Sequence, residues 1–138
     1  MAEKSTTPDL ENAVRRSLEA FNRRDFDAAF AALAPDVWDT SPIGWAVYEG
    51  RDVVQAFAED WVRTYEDWAA ELEEIRNLGN GVVFYVLRHS GRIAGSSSLV
   101  ELRHSQTLVA DGLVIRVTVH PDIDEARAAA ERLAEERG

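Results

Sequence analysis

Asp39, His104 and Gln106 are the side chains of this 138-residue sequence whose types and placement suit chemistry. Asp39 lies in VWDTSPIGW (Val37 to Trp45), a carboxylate between two tryptophans and just ahead of a Ser-Pro turn signal. Walled by Trp38 or Trp45 and apolar neighbours, such a carboxyl is desolvated and its pKa rises toward working pH, as a general base requires. The same residue suits a plainer task, capping a turn by accepting from nearby backbone amides. Both readings stay open at this level. His104 and Gln106 stand two residues apart and therefore share one face of a strand, where they can donate hydrogen bonds to a developing enolate or to a ligand carbonyl. The alternative is that they satisfy each other or a backbone group in a half-buried sheet.

The remaining candidates carry less. Tyr48, Trp61, Tyr65 and Tyr85 have enough apolar bulk to be wall or core without any chemistry, and only Tyr48 and Trp61 are carried forward, as pocket lining. Arg88, Arg103 and Arg116 read as solvated or ion-paired strand residues. His89, His104 and His120 lack HxH or HExxH spacing, so no metal site is expected. Gly95 to Ser98, GSSS, has neither GxSxG nor GK[ST] spacing and is expected to be flexible hairpin chemistry.

These side chains need elements to hold them. Thr7-Pro8-Asp9 reads as a helix start, with Leu10, Ala13, Val14, Leu18 and Phe21 at helical spacing behind it and residues 1–7 as a tail. Asn22 to Asp25 breaks that pattern, and a short second helix carries Phe26, Ala29, Phe30 and Leu33 until Pro35 stops it. Val37 to Thr40 is a short strand, Ser41 to Gly50 a loop, and Arg51 to about Asp67 a helix with Val54, Phe57, Trp61 and Tyr65 along one side. Trp68 to Asn77 reads as a strand with a bulge near Glu73-Glu74. Asn80-Gly81 is a two-residue hairpin turn, Val82 to His89 a strong strand, and Ser90 to Ser98 a bent or mobile segment.

Asp111-Gly112 closes a hairpin between Leu99–Ala110 and Leu113–His120, with Ala110 opposite Leu113, Leu108 opposite Ile115 and Gln106 opposite Val117. One face then carries Val100, Leu102, His104, Gln106, Leu108, Ile115, Val117 and Val119. The other, from Glu101 to His120, is expected to be solvated or to meet another subunit. Asp122 and Glu125 have capping-box spacing and open a last helix, residues 122–138, with Ile123, Ala126, Ala130 and Leu133 as a narrow stripe. The order predicts an α+β domain in which helices cover one face of a curved sheet.

Composition narrows the function. A chain this long makes about one domain, 1–138, with a single core. Zero cysteines rule out disulfides, thiolate metal sites and cysteine nucleophiles. The formal charge of −10 opposes binding to nucleic acid and to anionic membranes. No run approaches the roughly 18 apolar residues of a membrane span, and MAEKSTTPDLENAV lacks an apolar signal core, so a cytoplasmic protein is expected. The excess of arginine and alanine, with Lys4 the single lysine, is a usage associated with GC-rich bacterial genomes.

Four segments, FNRRDFDAAFAALAPDV (Phe21 to Val37), WDTSPIG (Trp38 to Gly44), YEGRDVVQAFAEDW (Tyr48 to Trp61) and ADGLVIRVTVHPD (Ala110 to Asp122), together resemble the SnoaL-like polyketide cyclase group of the nuclear transport factor 2-like superfamily. The resemblance implies a cone: three N-terminal helices packed on a curved, mostly antiparallel sheet around a hydrophobic pocket, plus a C-terminal helix, usually as a homodimer. It implies a small hydrophobic molecule as partner and no cofactor. Related activities include ketosteroid isomerisation, aldol cyclisation and epoxide hydrolysis, besides pure binding, so the fold does not assign the reaction. Two positions depart from the family pattern. Ser41 holds the place of the isomerase base, ahead of Pro42-Ile43-Gly44, and Gln106 holds the place of the inward histidine, with His104 one pleat away. The resulting expectation is a cofactor-free enzyme with Asp39 and His104 as catalytic groups. Trp38, Ser41, Tyr48, Phe57, Trp61, Leu102, Gln106 and Val117 would bind the substrate. The alternatives are a binding or dimerisation module and, more weakly for want of an Asp-x-Arg-x-Asp set, an epoxide hydrolase.

Overall fold

The computed structural model describes residues 2–111 and 113–138, with the side chains of 10–111 and 116–138. The first helix, α1, runs over Ala2–Asn22. Thr7-Pro8 therefore falls inside it rather than opening it, and the expected tail is helical from Ala2. Proline's fixed φ is helical, so the cost is mainly the bond to the carbonyl four residues back. Asn22 ends α1 by gripping the sheet: its side chain donates to the Ala70 carbonyl (3.0 Å) and accepts from the Ala70 amide (2.8 Å). Arg24 turns the chain at φ 65, and Asp25 caps α2, Phe26–Ala32, by accepting from the Ala28 amide. The Arg24 guanidinium donates to the carbonyls of Val62, Tyr65 and Glu66, closing the C-terminal end of the third helix, α3, Arg51–Arg63.

Six strands follow or separate these helices: β1 Val37–Asp39, β2 Val47–Glu49, β3 Ala69–Gly79, β4 Val82–Arg92, β5 Leu99–Asp111 and β6 Leu113–His120. They form one sheet in the order β2-β1-β6-β5-β4-β3, antiparallel except where β1 lies parallel to β6. The segment expected as a plain loop between Ser41 and Gly50 contains a 3-10 turn, Ser41–Ile43, and the edge strand β2. A three-residue strand is too short to show a period, so its pairing with β1 is a tertiary fact. The bulge expected near Glu73-Glu74 is present, as the register of β3 on β4 shifts between Leu72 and Glu74. Asn80 (φ 56) and Gly81 (φ 79) make the tight turn between those strands.

The β5–β6 hairpin is displaced from its expected register. Asp111 rather than Ala110 faces Leu113, and a bulge between Val109 and Ala110 places Leu108 opposite Val117 and Gln106 opposite Val119. The turn and the bulge each displace the pairing by one residue, and because side chains alternate with period two, the two shifts together restore the expected faces from the Val109–Arg116 pair onward. Gly112 itself lies outside the described residues.

Both faces of the sheet's centre are covered. Inside the curve, Val83, Tyr85, Leu87, Leu108, Ala110 and Val117 pack with Val14 of α1. On the other face the last helix, α4, Ile123–Arg137, lays Ala126, Ala130 and Ala134 against Val82, Phe84 and Val86. Helices thus cover both faces rather than one, and on the outer face, expected to be solvated or to meet another subunit, Glu101, Arg103 and Arg116 are exposed while Ser105 and Thr107 are buried. The uninterrupted run VVFYVL at 82–87 is the sequence signature of a strand buried on both sides. Asp122 accepts from the Glu125 amide at 3.0 Å, the cap anticipated for α4.

Candidate functional site

Between α1, α2, α3 and the concave side of the sheet lies a cavity of about 350 Å³. Its wall is mostly aromatic and aliphatic. The sequence places all four tryptophans of the chain there, Trp38 on β1, Trp45 on the loop after it, Trp61 on α3 and Trp68 just before β3. Phe57 is the hub on one side, in edge contact with Trp38 and Trp45, and Trp45 packs on Trp61 with ring centroids 5.0 Å apart. Trp45 nevertheless stays 46% exposed, an apolar surface at the cavity's rim.

Asp39 is not in this wall. Trp38 pairs with Val117 and faces the cavity; Asp39 pairs with Thr118 and faces away. Adjacent residues of a strand point to opposite faces, so Trp38 and Asp39 cannot both be inward, and the apolar ring takes the inner place. Asp39 Oδ1 accepts from the Ser41 amide at 2.9 Å, and Oδ2 pairs with Arg116 at 2.9 Å. Burial pushes the Asp39 carboxyl up, but hydrogen bonding to Ser41 and the Arg116 charge outweigh it and hold it below the usual carboxylate range. The expected buried base is thus an ion-paired turn cap. Ser41, exposed in the 3-10 turn, is likewise off the cavity, whereas Thr40, not foreseen, lines it with its hydroxyl donating to the Ala46 carbonyl. Tyr48 also lies outside the wall, stacked behind Phe57 at 4.0 Å between centroids, where it supports the ring that does line it.

Phe57, Trp61, Leu102, His104, Gln106 and Val117 are brought together in the wall with Trp38. Three polar side chains of the wall, on β4 and β5, form a hydrogen-bonded chain. The Tyr85 hydroxyl donates to Gln106 Oε1 at 2.7 Å, and Gln106 Nε2 lies 3.2 Å from His104 Nε2. With Oε1 accepting from Tyr85, the Gln106 amide donates to His104, so His104 Nε2 carries the lone pair and the ring proton sits on Nδ1. Burial pushes His104 down to about 4 and raises the Tyr85 phenol above its usual range, so both are neutral at pH 7. His89, one strand over, packs on His104 at 4.5 Å and edge-on to Trp68 at 5.2 Å. Burial, and secondarily the His104 ring, pushes it down to about 3.

Sequence reasoning passed over His89 and Trp68, although the signal was present. His89 lies opposite Leu102 in the β4–β5 pairing, and Leu87, two residues before it, lies opposite His104. Among the described lining residues none is Asp or Glu. Arg103, at the edge of the cavity, is tied to Glu73. Arg88 pairs with Glu73 and Arg116 with Asp39, so the strand arginines are ion-paired as expected.

Helices closed over a curved sheet, with an apolar cavity between them and a neutral hydrogen-bonding chain in its wall, define an α+β cone. The chain belongs to the SnoaL-like domain family, which it matches over residues 14–120. Solved structures share the fold at low identity. One is a protein with a ketosteroid isomerase-like fold from Catenulispora acidiphila in complex with trimethylamine: 15% identity, 78% of this chain and 83% of that one covered, TM-score 0.67. Another is an epoxide hydrolase from Mycobacterium tuberculosis: 18% identity, 92% of each chain covered, TM-score 0.69. A third is a protein from Shewanella denitrificans assigned as a SnoaL-like polyketide cyclase: 12% identity, 89% and 96% covered, TM-score 0.64. At these identities the likeness is one of fold. No curated protein matches the chain.

Proposed function

We propose that this SnoaL-like domain binds a compact, uncharged, hydrophobic carbonyl compound in the cone cavity. The chemistry of the wall carries the reading: it is apolar and aromatic, has no carboxylate among its described residues, and offers neutral donors near His104 and Gln106. A charged ligand would lose its hydration without gaining a partner. The trimethylamine held by the Catenulispora acidiphila relative supports a site for molecules of modest size. Thermal-shift screening of steroids and aromatic polyketides tests it. Stabilisation is expected in wild type and in Asp39→Asn, and is expected to weaken in His104→Phe. A wild type that no compound stabilises, or binding that vanishes in Asp39→Asn, would refute it.

A second reading is cofactor-independent proton transfer next to a carbonyl, as in an isomerase or aldol cyclase. Its electrophilic half is favoured by the Tyr85–Gln106–His104 chain, which orients an imidazole N–H able to polarise a carbonyl oxygen, and with no Asp or Glu among the described wall residues the abstracted proton would pass to solvent water. Turnover that persists in Asp39→Asn and disappears in His104→Phe would establish it. Epoxide hydrolysis draws support only from the fold of the mycobacterial enzyme. We also read the chain as a cytoplasmic homodimer that leaves nucleic acid and membranes alone. The −10 charge opposes binding to nucleic acid and to anionic membranes, and among the described residues no helix is long and apolar enough to cross a membrane. Light scattering on the purified protein tests the dimer.

A further inference from the structure

A residue that lines the cavity and is itself open to solvent stands at the cavity's mouth. Among the described residues four do both: Trp45 on the loop between β1 and β2, Leu102 and Arg103 on β5, and Pro121 just after β6. Trp45 is 46% and Leu102 43% exposed, so apolar surface continues from the cavity out to water. Trp45 is also held still. Its amide donates to the Thr40 carbonyl at 3.1 Å, and the next carbonyl, of Ala46, accepts from the Thr40 amide at 3.1 Å and from the Thr40 hydroxyl. Thr40 is only 2% exposed, so a buried residue clamps the backbone on both sides of an indole that faces solvent. Trp61, 5.0 Å away between centroids, backs the ring. A large apolar side chain ordered in advance and left uncovered is suited to contact, since little freedom is lost when something packs on it.

We infer that Trp45 and Leu102 form a rim subsite: the ligand's compact carbonyl head fills the cavity, and a flexible apolar chain attached to it leaves through the mouth and packs on these two side chains. The inference rests on the reading of the cavity as a site for a hydrophobic carbonyl compound, and adds a part that the cavity does not enclose. Size points the same way. The cavity, about 350 Å³, is near the small end of the roughly 300–1,000 Å³ of ligand sites, which enclose about 70–90% of a ligand's surface. What is not enclosed lies against the rim. The aromatic wall runs from Phe57 through Trp61 to Trp45, each ring packed on Trp45, so an apolar substituent is the continuation it fits. An ionic substituent has no partner there: no carboxylate is among the described lining residues, and Arg103 is engaged by Glu73.

The test titrates 2-heptanone, 2-nonanone and 2-undecanone into the protein by isothermal titration calorimetry. In wild type each added CH₂ is expected to tighten binding about fourfold, the scale of one methylene removed from water, through the longest ketone. In Trp45→Ser and in Leu102→Ser the shortest ketone should bind within about twofold of wild type, while the gain from 2-nonanone to 2-undecanone should drop from about sixteenfold to less than about fourfold. Both residues are exposed, so either variant serves if the other fails to fold. A gain that stops at 2-nonanone in wild type, or variants that weaken all three ketones alike, overturns the rim subsite and leaves the cavity reading standing. So does a wild-type dimer that Trp45→Ser dissociates in light scattering, since a second copy then covers the rim. Wild type that binds none of the three overturns the rim subsite too, and the cavity reading falls with it only when the steroid and polyketide screen is also blank.

Discussion

Mild acid should destabilise this fold through its two cavity histidines, in a pH range above that of its carboxylates. Burial holds His104 at about 4 and His89 at about 3, against an ordinary 6.5. At pH 5 both rings are therefore neutral in the folded protein, while an unfolded chain has them largely protonated. The unfolded state then binds more protons, so stability is complete above about pH 6.5 and falls as the pH drops toward about 4 and then about 3. With about 1.4 kcal/mol per pKa unit, each histidine withdraws about 2 kcal/mol between pH 8 and pH 5. The pair together withdraws about 4 kcal/mol, a large share of the roughly 5–15 kcal/mol that keeps a domain folded. Asp39, Glu73 and Glu74 have lowered pKa values, and their contribution is lost only below their ordinary values of 3.8 and 4.5. Urea unfolding at about pH 8 and about pH 5 separates the two ranges. His89→Phe and His104→Phe should each remove about half of the loss. Equal stability at both pH values, or NMR titration midpoints near 6.5 for both rings, would refute the reasoning.

Three further substitutions probe the positioning of the site. Asp39→Asn should cost about 1 kcal/mol, by weakening a partly exposed pair with Arg116 while keeping the turn, and should leave ligand binding unchanged; urea unfolding and the thermal-shift screen measure both. Tyr85→Phe leaves the Gln106 carbonyl oxygen without its buried donor and should cost about 1–3 kcal/mol in chemical unfolding, with a shifted His104 imidazole signal as the tautomer loses its support. Gly81→Ala combines a left-handed φ of 79° with a Cβ driven into the Ala110 carbonyl, so loss of several degrees of melting temperature or failure to fold is expected by circular dichroism.

Much of the cone was legible from periodicity and turn chemistry. The helix stripe ending at Phe21, the VVFYVL run, the Asn80-Gly81 turn and the Asp122 cap are local signals whose physical causes act within a few residues. The bulge at Glu73-Glu74 was legible because an extra residue interrupts an alternating pattern. Strand β2, the burial of Ser105 and Thr107 beneath α4 and the bulge in the last hairpin were not, since each depends on a partner distant in the chain. The face that carries His104 and Gln106 survived the register error only because two one-residue displacements preserve parity.

The sequence by itself determined an α+β order of elements and, through its resemblance to the SnoaL-like group, a cone fold; strand alternation put His104 and Gln106 on one strand face. Only the tertiary structure decided which way β1 turns. Trp38 and Asp39 compete for a single inward place, and the choice is made by the strand's pairing with β6, where Arg116 stands outside to receive the carboxylate and Val117 inside to line the cavity with the indole. The same long-range assembly set His89 beside Trp68 and His104, groups at least 15 residues apart in sequence and in contact only because β4 lies between β3 and β5.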